Sequence, residues 1–382
     1  MIIGIDAANI RVGGGVQHLV EILKIACPEK HGFSQIVVFG SKNILAKFEA
    51  RSWLIKVSPK ALNGNLILRV VWQIFFLSVA VRKYHCNLLF VPGGSYAGDF
   101  RPVVSMNQNL IPFEWKETRR YGWSLTTLRL ILLRYSQAKT FTRADGLIFL
   151  TDFSRKVVSR ILPIKEVRSI IIPHGINAKF SLSPKLQFPI VNYSFDQPYR
   201  LLYISTIDMF KHQWNVVEAV AKLRSIGYPI ILDLVGGAYP QALQLLKRVI
   251  NKHDPRKEFI RYLGSIPYDE IQNKYKEADL FVFASSCETF GQIITEAMSA
   301  GLPIACSERS SMSEILQCNG VYFNPLDPNS IAEAIRFLLD DPNLRTLIAT
   351  AANHMSTTFT WDRCTDQTFA FFKEIISINN YT

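Results

Sequence analysis

ETFGQIITEAMSAGLPI, residues 288–304, follows the apolar run LFVFA at residues 280–284 after only Ser285, Ser286 and Cys287, and this succession decides the fold. An uninterrupted apolar run suits a strand covered on both faces, as in a parallel sheet. A short loop with an acid and a glycine comes next, and a helical stretch starts near Gly291. Strand, tight loop and helix in that order make up half of a βαβ unit. The first turn of such a helix has backbone amides without intrahelical partners, which favour an anion such as a diphosphate. Glu288 falls in the loop at the carboxyl end of the strand, where open parallel sheets bind ligands. Glu296 lies two turns into the helix. A carboxylate only accepts hydrogen bonds, so the two acids suit a polyhydroxylated ligand, with Glu296 able to take both hydroxyls of a ribose.

Apolar runs recur on both sides of this stretch. Residues 201–204, 230–235, 259–262 and 303–306 form a set with 280–284, and residues 2–5, 35–39, 88–91, 103–106, 146–150 and 169–172 form an earlier one. Strands alternating with helical stretches predict parallel sheets wrapped by helices, and 382 residues exceed what one hydrophobic core supports. Residues 181–198 contain Pro184, Pro189 and Pro198 and no apolar periodicity, as a linker would. The expected fold class is therefore α/β, with two Rossmann-like domains in tandem. Residues 1–180 form the first domain, 181–198 the linker and 199–362 the ligand-binding domain, with a last helix in 363–382 returning to the first.

Two glutamates separated by seven residues and followed by AMSAGLPI resemble the mark of the family 4 glycosyltransferases, retaining enzymes of the GT-B fold, which implies that the two Rossmann-like domains face each other across a cleft. The resemblance implies that Glu288 contacts the transferred sugar, that Glu296 contacts the ribose, and that the loop amides at Phe290, Gly291 and Gln292 hold phosphate. In STIDMFKHQWNVVEAV, residues 205–220, Lys211 matches the family lysine that pairs with the donor diphosphate and stabilises the leaving group. The usual family arginine, about five residues earlier, is replaced by Thr206. Lys211 with the loop amides, His212, or an arginine of the first domain are the open alternatives for its charge.

The same resemblance extends into the first half. RVGGGVQHLVEIL, residues 11–23, has three glycines that permit close backbone approach, and Gly15 is expected opposite the donor phosphates. SMNQNLIPFE, residues 105–114, looks like the loop that carries a His-Asp pair near the acceptor in many members; Gln108 and Asn109 stand in those places. Their amides cannot serve as a general base. PHGIN, residues 173–177, looks like the signature closing the first domain, with His174 shaping the cleft. Backbone at Ser265 and Ile266, after Gly264, is expected to meet the base. The implied reaction moves a hexose from a nucleotide-diphosphate sugar, with GDP-mannose as lead donor, to a glycan or polyprenyl-diphosphate-linked acceptor of a surface polysaccharide. With no general base in place, a donor phosphate oxygen takes the acceptor proton. No cofactor and no metal are expected, because no DxD-like acidic site accompanies the donor motif.

Charge divides unevenly between the halves. Residues 1–196 hold 26 basic against 11 acidic side chains and the remainder 17 against 20, within a formal net charge of +12. A basic half fits an anionic surface, and contact with an anionic membrane is the partner expected. LILRVVWQIFFLSVAV, residues 66–81, is apolar but shorter than the roughly 20 residues of a spanning helix, and Arg69 and Gln73 share one of its faces. It reads as a buried or interfacial helix. Six scattered cysteines without CxxC spacing fit a reducing compartment, and the first ten residues lack a leader pattern, so a cytoplasmic setting is expected. A sugar-nucleotide epimerase on the same fold is the nearest rival. A nicotinamide oxidoreductase is disfavoured by the absence of GxGxxG, and a nucleic-acid binder by the lack of a recognisable module.

Overall fold

Short strands with both faces covered organise two separate sheets. The computed structural model describes residues 1–11 and 13–380. Among them β1 (Ile2–Asp6), β2 (Gln35–Phe39), β3 (Leu54–Val57), β4 (Leu88–Val91), β5 (Val103–Asn107), β6 (Gly146–Phe149) and β7 (Arg168–Ile171) form one sheet in the order β3-β2-β1-β4-β5-β6-β7. The other contains β8 (Tyr199–Ile204), β9 (Ile230–Val235), β10 (Ile260–Gly264), β11 (Leu280–Phe283), β12 (Ile304–Ser307) and β13 (Val321–Phe323), ordered β10-β9-β8-β11-β12-β13. All these pairings are parallel. In each sheet the strand order reverses beside the first strand, between β1 and β4 and between β8 and β11. Loops leaving such a switch point diverge, and a crevice opens at the carboxyl ends of the strands.

The chain forms two compact units. One comprises Met1–Thr118, Gly122–Gly175 and the segment from Thr360 on; the other comprises Arg119–Tyr121 and Ile176–Phe359. The division differs from the one expected of the sequence, because the proline-bearing residues 181–198 pack on the second unit instead of linking two bodies. Leu182 donates its amide to Ser299 O at 3.0 Å. Lys185 Nζ donates to Ala278 O at 2.5 Å. Arg345, fully buried, donates to Phe188 O at 2.5 Å and Gln187 Oε1 at 3.0 Å. Prolines here shape a strap held by its own Leu182 amide and Lys185 and by Arg345, and the chain crosses between units at Gly175/Ile176 and Phe359/Thr360, besides the short excursion of Arg119–Tyr121.

The C-terminal helix Trp361–Asn380 belongs to the first unit; residues 381 and 382 of the expected 363–382 segment lie outside the described residues. Its Phe372 ring sits 5.0 Å from that of Phe90 on β4. A Cβ on Gly146 would lie 2.9 Å from Phe371, so the glycine that opens β6 lets the helix approach. The helix Leu66–Phe75 buries Trp72 and Gln73, while most of its aliphatic side chains are exposed. No helix among the described residues is long and apolar enough to cross a membrane.

Candidate active site

Lys211 and Glu288 meet at the switch point of the second sheet. Lys211 follows β8 and Glu288 follows β11, two neighbouring strands, and the ammonium and the carboxylate form an ion pair. Only 11% of the lysine side chain and 16% of the glutamate side chain is exposed. The ammonium lies 4.8 Å from the Phe210 ring centroid and 4.9 Å from that of Phe283. Aromatic walls lower the local dielectric and attract the cation by their quadrupole, so its field is screened less than on an open surface.

Neither charge is placed by its own loop alone. The Tyr203 hydroxyl, fully buried in β8, donates to Lys211 O and accepts from Ala284 N at 3.2 Å, tying the lysine loop to the end of β11. The Ser310 hydroxyl accepts from Glu288 N at 2.6 Å and donates to Glu288 O at 2.7 Å. Ser311 adds a longer bond to the same carbonyl. Ser310 holds a left-handed φ of 67°, a conformation unfavourable for serine that turns its side chain back onto Glu288. Tyr203, Ser310 and Ser311 escape a sequence reading. The tyrosine hides in an apolar run, and the only hint of the serines is a polar cluster, ERSSM, at the end of a strand.

His212 follows Lys211 in the chain. Its ring is buried, with Nε2 2.9 Å from Ser286 Oγ, and Ser286 in turn donates to Phe210 O at 3.2 Å. Burial, then the fields of Arg120 and Arg309, pushes its pKa down to about 3. The depressed pKa disfavours the imidazolium, and the neutral ring stays a hydrogen-bonding candidate beside Lys211. Thr206 is exposed and its carbonyl accepts from Gln213 Nε2 at 3.0 Å. Arg309, half-buried after β12, stands beside Ser310; its guanidinium reaches Asn324 Oδ1 at 3.4 Å and its field reaches His212. No ion pair with a carboxylate engages it among the described residues.

Gly291 caps the helix Gln292–Ser299 at φ 80°, and a Cβ there would lie 2.6 Å from Met312. Only glycine combines this left-handed turn with that approach. Phe290 is buried with its ring 5.7 Å from that of Phe359, so a ligand would meet its backbone and not its side chain. Gln292 is the first helical residue. Glu296, also buried, accepts from the Tyr275 hydroxyl at 3.0 Å. Burial lifts its pKa from the ordinary 4.5 to about 7, against the Tyr275 hydrogen bond and the charge of Lys179, which both lower it. Ser265 and Ile266 follow β10, with Ser265 Oγ 3.0 Å from where a Cβ on Gly237 would stand.

Within the first unit, Gly15 and Gln108 come together, since a Cβ on Gly15 would lie 3.1 Å from Gln108 Oε1. Asn109 bonds within its own loop: its Oδ1 accepts from Ile111 N at 3.1 Å and its carbonyl accepts from Asn107 Nδ2 at 3.2 Å. His174 is buried and stacked on His18, ring centroids 4.7 Å apart, beside Trp361. It therefore packs inside the first unit, which gives it a structural place.

Comparison with known proteins bears on the family and the fold. The family described as Glycosyl transferases group 1 matches residues 188–355. O-antigen chain mannosyltransferase B of Escherichia coli is 28% identical over 251 residues, covering 64% of this chain and 65% of that protein. Other curated relatives are matched over about a third of their length, 32% and 30% in two cases. A sucrose-phosphate synthase from Thermosynechococcus elongatus superposes with a TM-score of 0.76 at 18% identity, covering 99% of this chain and all of the other. Anabaena HepE in complex with UDP and glucose gives 0.71 at 17% identity, over 98% of this chain and 100% of the other. Residues 188–355 thus belong to the group 1 glycosyl transferases, and the chain has the GT-B fold.

Proposed function

We propose that the protein is a retaining glycosyltransferase that uses a nucleotide-diphosphate sugar to extend a glycan in surface-polysaccharide or lipopolysaccharide synthesis. The observation that carries this reading is the shielded Lys211–Glu288 pair at the switch point of a group 1 glycosyl transferase domain. The ammonium faces the donor diphosphate, Glu288 accepts from hydroxyls of the transferred sugar, Glu296 accepts from the ribose, and amides at Phe290, Gly291 and Gln292 bind phosphate. As the bond from C1 to the diphosphate oxygen breaks, its electron pair goes to the diphosphate, where Lys211 and Arg309 offset the growing charge. The acceptor oxygen bonds to C1 on the same face and gives its proton to a donor phosphate oxygen. Positioning and electrostatics carry this mechanism, and no side chain needs to titrate.

The name of the Escherichia coli relative supports mannose as the sugar, and GDP-mannose is the donor proposed. The basic first half supports an acceptor linked to a polyprenyl diphosphate and contact with an anionic membrane. A panel of nucleotide sugars, with a chelator present, tests the reading through release of free nucleoside diphosphate and the anomeric configuration of the product. Retained configuration and chelator-insensitive release are expected; inversion, or release that returns only with added magnesium or manganese, overturns it.

Two further outcomes follow from named groups. Arg309→Ala is expected to reduce kcat/KM by roughly tenfold, with Arg309→Lys intermediate, as when one of two cations on a diphosphate is lost. Donor binding should also depend on pH. Ribose hydroxyls donate to the carboxylate form of Glu296, whose pKa in the folded protein is about 7. Affinity for the nucleotide therefore rises as pH increases through about 7, and Glu296→Gln, weaker throughout, loses that slope. Stability runs the opposite way without ligand. Folding takes up a proton at Glu296 between its ordinary 4.5 and about 7, so this contribution is complete below 4.5 and is lost as pH rises through 7. Calorimetric titrations at pH 6 and 8 check the binding slope in wild type and variant.

A further inference from the structure

The helix Leu66–Phe75 packs the wrong way round for a globular protein. Its inward residues are Trp72, against Phe39, and Gln73, whose amide donates to Asp6 and to Ser95 O at 2.9 Å and accepts from Asn9 at 3.0 Å. A polar side chain thus anchors the helix, and the aliphatic ones face out. Ile67 is 72% exposed and Phe75 65%, and Leu66, Leu68, Phe76 and Val79 are also exposed. A second helix, Leu125–Phe141, repeats the pattern: it buries Leu130, Gln137, Thr140 and Phe141 and exposes Leu125 at 85% and Tyr135 at 74%, together with Leu128, Leu132 and the preceding Trp123.

These two helices flank one segment of chain. Ser95 O takes the Gln73 amide, Tyr96 N donates to Thr140 Oγ1 at 2.8 Å, and the Tyr96 hydroxyl lies 2.9 Å from Ser78 Oγ on the short helix Leu77–Lys83 that continues the first. Arg69 on the first helix lies within the field of Arg129 on the second and of Arg11. No acid occurs between Glu49 and Asp99, or between Glu117 and Asp145. Exposed apolar area concentrated in this way marks an interaction site, and its charge narrows the occupant. A second copy would bring like-charged arginines together, whereas lipid phosphates neutralise them while acyl chains take the aliphatic and aromatic side chains.

We propose that the outer faces of Leu66–Phe75 and Leu125–Phe141 form one docking surface that lies in the headgroup region of an anionic bilayer, with Arg69 and Arg129 on lipid phosphates. This gives the membrane contact of the proposed function a location; it rests on that part of the reading and on nothing about the donor.

The test is cosedimentation of the full chain with vesicles of phosphatidylcholine alone and of phosphatidylcholine mixed with phosphatidylglycerol, at moderate salt. Two variants are compared with wild type, Phe75→Ser with Phe76→Ser, and Arg69→Glu with Arg129→Glu. All four side chains lie outside the donor machinery, so an unchanged unfolding midpoint and unchanged nucleotide binding certify the fold. Wild type is expected to bind the anionic vesicles and each variant to bind them on the order of tenfold more weakly. Equal binding by wild type and both variants overturns this surface while membrane contact stands. No binding by wild type overturns both. Dimerisation that Phe75→Ser with Phe76→Ser abolishes, without vesicle binding, assigns the face to a second copy and also overturns the proposal. Nucleotide release with a soluble acceptor reads glycosyl transfer separately.

Discussion

Glu288→Gln and Lys211→Ala are each expected to lower turnover by on the order of a hundredfold or more with the folded state retained, the range seen when a preorganised charge is removed from a transition state. The ammonium is fixed before the donor arrives. Its backbone is tied to β11 through Tyr203, Phe210 and Phe283 wall it, and Glu288 orients it. A charge positioned in this way needs no reorganisation as the diphosphate leaves. Glu288→Gln keeps the shape and removes the negative charge, so a loss concentrated in kcat separates an electrostatic role from simple contact. Lys211→Ala leaves the largely buried Glu288 without its partner, so a lower Tm accompanies the loss of turnover while the protein stays folded at the assay temperature. Near-normal turnover in both variants would remove the pair from the chemistry.

The largest effect on stability is expected at Arg345. Arg345→Met should destabilise the chain by about 3–5 kcal/mol, because a fully buried cation is replaced by a side chain that satisfies none of its acceptors. The guanidinium donates to Leu338 O at 2.5 Å, Leu339 O at 2.7 Å, Phe188 O at 2.5 Å and Gln187 Oε1 at 3.0 Å. It closes the C-terminal end of the helix Pro328–Asp340 and pins the strap of residues 187–188 at the same time. Denaturant titration measures the effect. A loss below about 1 kcal/mol would mean that water replaces the arginine at those carbonyls.

Burial on both faces made most of the strands legible, since β1, β2, β4, β5 and β6 and β8, β9, β11 and β12 are written as short apolar runs. The edge strands β3 and β13 are not. LIKV places Lys56 in a strand whose residues are at most half-buried, and VYF is three residues long. The strap at residues 181–198 misleads because proline and the lack of periodicity report local backbone, whereas its place is set by its own Lys185 reaching Ala278 O and by the distant Arg345 and Asn353 side chains. The same limit applies at the site. Glu288 and Lys211 could be paired through spacing and resemblance. The bonds that hold them come from Tyr203 and Ser310, 85 and 22 residues from Glu288 along the chain. By residue type His212 is one of three open sources of charge, and burial, which the sequence does not report, disfavours its charged form. Gln73 is legible only as sharing a helix face with Arg69, and it is the part that faces inward.

Isothermal titration of the whole chain with GDP-mannose and a set of UDP sugars, in wild type and in Lys211→Ala, tests the central claim most directly. One nucleotide sugar should bind at a single site per chain, and Lys211→Ala should weaken it by roughly tenfold or more, as expected when a charge-assisted contact to phosphate is lost. Equal affinity in the folded variant, or no binding by wild type across the set, would contradict a donor site built on Lys211 and Glu288.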